Sequence, residues 1–317
     1  MYILEIICGL AGLIVGGDLL VRGAVAAASR LGVSPLLIGL TLVGFGTSTP
    51  ELVTSVEAAL ANAPGIAIGN VVGSNIANIL LILGMTAVIA PVAVESRAFW
   101  RDGSMLLAAT LIGAGLMASG MIGRAAGTAS LILLFAYISV TYWLERRHQT
   151  AAAAVYSAES EAVAVPTGGM LKAGAMVAGG LVLTIFAAKF LVSGAVTLAT
   201  SLGISETIIG LTIVAVGTSM PELVTSIIAA RKGQHEVAFG NIIGSNIFNI
   251  LGILGTTALV HPLAVPEVIL ALDVWVMLAA TGLLCVFAIS GWRISRREGL
   301  LMMAGYAVYT GYLISHA

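Results

Sequence analysis

Charge is what this sequence has least of. Only 9% of its 317 residues are Asp, Glu, Lys or Arg, whereas 59% are hydrophobic and the mean hydropathy is +1.08. A water-soluble domain carries about a quarter charged residues, so a soluble fold is excluded and a polytopic membrane protein is implied. The net charge of −1 leaves no basic surface for nucleic acid. Cysteine is nearly absent too. Cys8 and Cys285 both lie in apolar runs, which excludes a disulfide framework and reads as two free core thiols. Histidine occurs at 148, 235, 261 and 316, never in the middle of an apolar run. There is no His-Glu-x-x-His, and no Gly-x-Ser nucleophile has an in-membrane His to activate it. The sequence therefore reads as a non-enzyme without a cofactor. No cleavable-signal pattern opens the chain. Residues 3–28 are too long for a signal core and read as the first spanning helix.

Apolar windows between short polar or Gly/Pro breaks predict ten spans. They fall near 3–28, 33–60, 66–90, 100–119, 124–144, 170–200, 204–230, 236–260, 268–290 and 297–315. One substantial loop remains, 145–169, too short and too poor in apolar residues to fold as a domain. It reads as a cytoplasmic linker between five-helix halves 1–144 and 170–317, and implies no regulatory domain and no protein partner. Placing the N-terminus outside puts Arg30, Arg97, Arg101, Arg146, Arg147, Lys172, Arg231, Lys232, Arg293, Arg296 and Arg297 on the inner side, against Arg124 alone on the outer. That bias predicts both termini on the extracellular or periplasmic face of the cell (inner) membrane. Aromatics follow the same division. Trp100, Tyr142, Trp143 and Trp292 fall at inner interfaces; Tyr2, Tyr309 and Tyr312 fall at outer ones.

Residues 12–94 align with 183–265 at a constant offset of 171 without a gap, and the register continues to Asp102 and Asp273. From Ile68 to Gly84, 12 of 17 positions are identical. Five spans separate equivalent points, and five is odd, so the halves must cross the membrane in opposite directions. The fold class expected is all-α and integral to the membrane: ten helices in two inverted five-helix repeats, with spans 2, 3, 7 and 8 broken. Inverted repeats are typical of secondary transporters, whose sites lie at the midplane between the halves.

The most alike stretches carry the chemistry. Gly46-Thr47-Ser48-Thr49-Pro50-Glu51 returns as Gly217-Thr218-Ser219-Met220-Pro221-Glu222. Each copy puts a carboxylate inside an apolar segment, where a charge costs several kcal/mol, about 2.5–3.5 on insertion scales. Pro50 has no N–H for the Gly46 carbonyl, so span 2 is predicted to break around 46–49 and leave carbonyls free. Such carbonyls are tolerated in a bilayer when protein, water or an ion satisfies them. Carbonyls, hydroxyls and a carboxylate are the oxygen donors that hard cations such as Na⁺ and Ca²⁺ prefer. The second motif, Gly69-Asn70-Val71-Val72-Gly73-Ser74-Asn75-Ile76-Ala77-Asn78, returns as Gly240-Asn241-Ile242-Ile243-Gly244-Ser245-Asn246-Ile247-Phe248-Asn249. Ser74 and Asn78 share one helix face, as do Ser245 and Asn249. These four read as site-facing, and the glycines as close-packing positions. Asp18 is spaced to pair with Arg22. A Glu-lined cation channel is the rival reading.

These paired motifs resemble the α-repeats of the Ca²⁺/cation antiporter superfamily, closest to prokaryotic Na⁺/Ca²⁺ exchangers, and the resemblance covers nearly the whole chain. It implies exchange of Ca²⁺ for Na⁺ by alternating access, with spans 1 and 6 sliding across a fixed core. It implies calcium-binding by Glu51, Glu222, Thr47 and Thr218. It implies sodium-binding by the same four residues with Ser48, Ser74 and the Gly44 carbonyl on one side, and Ser219, Ser245 and the Ala215 carbonyl on the other. Asn78 and Asn249 complete the polar centre. Sodium-coupled members often have Asp where this chain has Asn249, so a Ca²⁺/H⁺ antiporter is the alternative. The partners implied are inorganic cations and the lipid bilayer.

Overall fold

The computed structural model describes residues 2–31, 45–96, 99–148, 169–231 and 235–316. The Gly44 carbonyl, the first half of span 2 and nearly all of the 145–169 linker lie outside these. A helical element occupies each of the ten predicted segments. In chain order these are α1 (Tyr2–Arg30), α2 (Thr49–Leu60), α3 (Pro64–Ile76), a π turn (Ala77–Leu83) and α4 (Gly84–Ile89). Strand β1 (Val92–Ala93), a π turn (Phe99–Gly103), α5 (Ser104–Ala118), β2 (Met121–Ile122) and α6 (Arg124–His148) follow. The second half holds α7 (Met170–Leu202), α8 (Glu206–Ile209), a π turn (Gly210–Val214), α9 (Ala215–Thr218) and α10 (Met220–Arg231). It continues with α11 (His235–Ile247), a π turn (Phe248–Ile253), α12 (Leu254–Val260) and β3 (Leu263–Ala264). A π turn (Ile269–Asp273), α13 (Val274–Gly291), β4 (Arg293–Ile294) and α14 (Arg296–Ser315) complete it. By length and apolarity, 6 helices among the described residues can cross a membrane, or 7 when the bent pair Glu206–Thr218 and Met220–Arg231 counts as one span.

Burial sorts the spans into layers. In Pro64–Ile89 and Ala238–Val260 78% of the most apolar window is buried, against 28% in α1, 33% in α7 and 22% in α6. The two spans that carry the second motif are therefore the most deeply buried, and the outer helices turn Leu, Ile, Val and Phe outward, among them Leu4, Val15, Phe186 and Phe190. Large exposed apolar side chains on long helices fit a lipid environment.

Small residues set the close crossings. α1 and α7 run antiparallel, with Gly9 against Leu191, Gly16 against Thr184 and Gly23 against Val177. A Cβ on Gly9 would lie 2.7 Å from the Leu191 nitrogen, so only glycine permits this approach. The same device recurs at repeat-related places: Gly84 packs on Gly299 backbone, and Gly255 on Gly127 backbone. β1 pairs antiparallel with β4 and β2 with β3, tying the halves together at both ends of α5 and α13. Each of these contacts joins one half to the other, and each has a counterpart with the halves exchanged.

Several expectations need correction. Spans 3 and 8 are not interrupted; each runs on through a π turn, at Ala77–Leu83 and Phe248–Ile253, which adds a residue to the turn without freeing a stretch of backbone. Span 7 does bend, by 44° at Ser219. In span 2 the Gly46 carbonyl is not free, because Thr49 N donates to it at 3.2 Å in a tight turn over Phe45–Ser48. Span 5 is longer than expected and continues to His148. Cys8 is exposed rather than core, and Cys285 is half-buried; both are free. Tyr309 is buried and does not face the interface. Trp100 and Trp292 pack edge to face beside the β1–β4 pairing, with ring centroids 6.5 Å apart.

Candidate cation site

The described half of span 2 and the bent span 7 meet at the centre and exchange side chains. Pro50 begins α2 as a first-turn proline, where its missing N–H costs nothing. That start places Ser48 just before the helix and Glu51 in its first turn. At the bend of the second half, Ser219 and Glu222 hold the equivalent places. Ser48 Oγ donates to Glu222 Oε1 at 2.7 Å, and Ser219 Oγ donates to Glu51 Oε1 at 2.9 Å. Each serine thus serves the carboxylate of the opposite half. Thr218 Oγ1 donates to Asn70 Oδ1 at 3.1 Å, and Thr47 Oγ1 is buried with no hydrogen-bond partner among the described residues. Ser245 Oγ reaches Glu222 Oε1 at 3.5 Å from the second motif, and Ser74 Oγ reaches the Ala215 carbonyl at 3.5 Å.

All of this is closed to solvent. Glu51, Glu222, Ser48, Ser74, Ser245, Asn78 and Asn249 are 0% exposed. Each carboxylate is tied to the serine of the opposite half, which brings both to one centre. Among the described residues no Lys, Arg or His forms an ion pair with either; the ion pairs found there are Arg22–Asp18 at 2.8 Å and Arg101–Asp102. Among the described residues, Glu51 Oε2, Glu222 Oε2 and both amide atoms of Asn78 and of Asn249 are buried without a hydrogen-bond partner. Buried polar atoms of native proteins are nearly always satisfied. Here several unsatisfied oxygens converge beside two like charges, a donor set with the chemistry of a hard-cation site.

Sequence reasoning overlooks two parts of this centre. Asn70 Nδ2 donates to the Glu51 carbonyl at 3.1 Å and to Ser55 Oγ at 2.9 Å, while its Oδ1 accepts from Thr218 Oγ1 at 3.1 Å. It therefore grips the backbone of one carboxylate and the threonine beside it from the other half. The other copy differs: Asn241 Nδ2 donates to Ser226 Oγ at 3.1 Å, the one side-chain bond found for it. The motif displays Asn70, but nothing in it separates a clamp from a packing amide. Phe45 and Phe248 stack with centroids 4.5 Å apart. Phe248 stands where the first repeat has Ala77, a departure that marks the position without giving its partner.

The sequence matches the family described as Sodium/calcium exchanger protein over residues 1–144 and 172–315. The chain belongs to this family. Among its relatives, the sodium/calcium exchanger MaX1 of Methanosarcina acetivorans is 35% identical, with 96% of each chain covered. The inner membrane protein YrbG of Escherichia coli is 35% identical over 97% of this chain and 95% of its own. A solved structure of the sodium-calcium exchanger NCX_Mj, soaked with Na⁺ and Sr²⁺, superposes with a TM-score of 0.64 at 31% identity, covering 97% of this chain and 96% of that one. This member of the exchanger family is thus a multi-pass membrane protein of that exchanger's fold.

Proposed function

We propose that this chain is a secondary active antiporter that exchanges Ca²⁺ for Na⁺ by alternating access at a midplane site. The observation that carries the reading is the crosswise pair Ser48–Glu222 and Ser219–Glu51, which builds one buried two-carboxylate centre from both halves. Two negative charges in low dielectric match one Ca²⁺ or two Na⁺, and leaving them uncompensated is expensive. Glu51, Glu222, Thr47 and Thr218 are proposed to bind Ca²⁺. Na⁺ is proposed to use these residues with Ser48, Ser74 and the Gly44 carbonyl on one side, and with Ser219, Ser245 and the Ala215 carbonyl on the other. Asn78 and Asn249 are proposed as central neutral dipoles. The organisation proposed is ten spans in inverted halves 1–144 and 170–317, joined by a cytoplasmic 145–169, with both termini outside. The sodium/calcium exchanger names of MaX1 and NCX_Mj support this assignment of cargo.

One observation favours a second reading. Both central amides are neutral, which lowers the negative charge available to monovalent ions and suits Ca²⁺/H⁺ exchange. Ca²⁺ uptake into proteoliposomes separates the two. An outward Na⁺ gradient at equal pH should drive uptake, and an outward H⁺ gradient without Na⁺ should not. The reverse result establishes proton coupling. Uptake that needs neither gradient, beyond what the Ca²⁺ gradient itself drives, identifies a channel.

A further inference from the structure

We propose that Phe45 and Phe248 are positioning residues for the cation site: their stacked rings hold the turn that carries Ser48 to Glu222. The inference rests on the reading of that centre as a site for Ca²⁺ and Na⁺. The two rings belong to opposite halves, and their centroids lie 4.5 Å apart with planes tilted by 13°. That is the close end of the range, about 4.5–7 Å, in which aromatic pairs attract. Phe45 opens the tight turn. Its carbonyl accepts from Ser48 N at 3.2 Å, and Ser48 Oγ then reaches Glu222 Oε1 at 2.7 Å. Phe248 begins the π turn Phe248–Ile253 and directly precedes Asn249. The stack therefore joins two edges of the centre.

The sequence makes room for the second ring. A Cβ on Gly252 would lie 2.6 Å from Phe248 Cδ2 and 3.1 Å from Leu134 Cδ2, so the ring lies across the bare backbone of Gly252 with Leu134 of α6 beside it. The first repeat makes the opposite choice. Ala77 stands in the place of Phe248 and Leu81 in that of Gly252, so the bulk sits at the other of the two positions. Val216 stands in the place of Phe45. With the halves exchanged the pair is Val216 and Ala77, which cannot stack.

The second half holds its own serine by other means. There Ala215–Thr218 is helical, and Ser219 N donates to the Ala215 carbonyl at 3.1 Å. Thr218 Oγ1 donates to Asn70 Oδ1 at 3.1 Å, with the Val214 carbonyl 3.0 Å away. In the first half residues 45–48 form a turn rather than a helix, and Thr47 Oγ1 has no hydrogen-bond partner among the described residues. What helix and threonine bonds do on one side, ring stacking does on the other. A turn outside a helix has backbone freedom to lose. A contact that removes this freedom before a cation arrives lowers the ordering cost of binding.

Equilibrium binding of radioactive Ca²⁺ to the purified full chain tests this. Phe248→Ala combined with Gly252→Leu rebuilds the packing of the first repeat and removes the ring. It should weaken Ca²⁺ binding by about twofold to tenfold, the factor that one aromatic pair represents, while melting stays cooperative. Phe248→Tyr keeps the ring and should bind as wild type does. In a Ser48→Ala background the paired substitution should add little, because the stack acts through that serine. If the pair does not fold, Phe45→Leu removes the stack from the other side and carries the same expectations. Wild-type affinity without the stack, or its full loss added on top of that of Ser48→Ala, overturns the proposal. A wild type that binds no Ca²⁺ sinks the reading of the centre instead, and melting of the cation-free protein then decides on the stack. The combined variant should lose less than the sum of the losses from the paired substitution and from Ser48→Ala. Simple addition of those losses overturns the proposal.

Discussion

At the residue scale, the centre depends on groups that position the carboxylates as well as on the carboxylates themselves. Asn70 holds the Glu51 carbonyl, Ser55 and Thr218 with three bonds, all buried. Removing one partner of a buried hydrogen bond costs about 1–3 kcal/mol. Asn70→Ala is therefore expected to weaken apparent Ca²⁺ affinity by roughly tenfold to a hundredfold, with the protein still folded. Thr218→Val, which deletes one of the three bonds, should fall between it and wild type. Ca²⁺ dependence of uptake by both variants is the measurement. Wild-type affinity in Asn70→Ala would show that the clamp only packs. The carboxylates and flanking hydroxyls are legible in the sequence because a charge repeated in an apolar run has few other reasons to be there. The crosswise partnership of Ser48 with Glu222 is not. A repeat reveals which residues are equivalent, whereas contact across the interface depends on how the halves are docked. Tyr309 fails for a similar reason: an aromatic near a helix end reads as an interface anchor until its buried partner Asp273 is located.

At the scale of elements, apolar run length and the 171-residue offset are enough to place the helices. The π turns are illegible, since one extra residue per turn leaves no mark in composition. Glycine spacing on α1 is visible, and the structure supplies its meaning as the seam with α7. Gly9→Leu would push into the Leu191 backbone, and overpacking of this kind costs about 1–3 kcal/mol. We expect a lowered melting temperature and slower exchange, the second because the family resemblance makes this pair the moving element. A variant that melts lower yet exchanges at full speed would assign α1 and α7 a purely structural role. In the inverted arrangement we propose, Ser74 and Ser245 occupy equivalent places in halves of opposite sense. Cysteines there should be labelled from opposite faces of the membrane, at rates that Na⁺ and Ca²⁺ alter. Labelling of both from one face under every ion condition contradicts the inverted arrangement.

At the scale of the whole molecule, the exchange we propose has its coupling set by charge balance. Glu51 and Glu222 offer two negative charges, and Asn78 and Asn249 offer none. A third bound Na⁺ would leave the centre at +1 in low dielectric, which is unfavourable. The account therefore expects two monovalent ions per Ca²⁺, and a flux null point in proteoliposomes that does not move with membrane voltage. A null point that shifts as a one-charge cycle requires would refute this balance, and Asn249→Asp should then change little. The central claim is that the two carboxylates act together as the Ca²⁺ site, and charge removal tests it most directly. Na⁺-driven Ca²⁺ uptake should be measured for wild type, Glu51→Gln and Glu222→Gln, each reconstituted as folded protein. The account predicts robust uptake in wild type and none above background in either variant, because each substitution halves the charge facing a divalent ion. Uptake retained in both variants would contradict it.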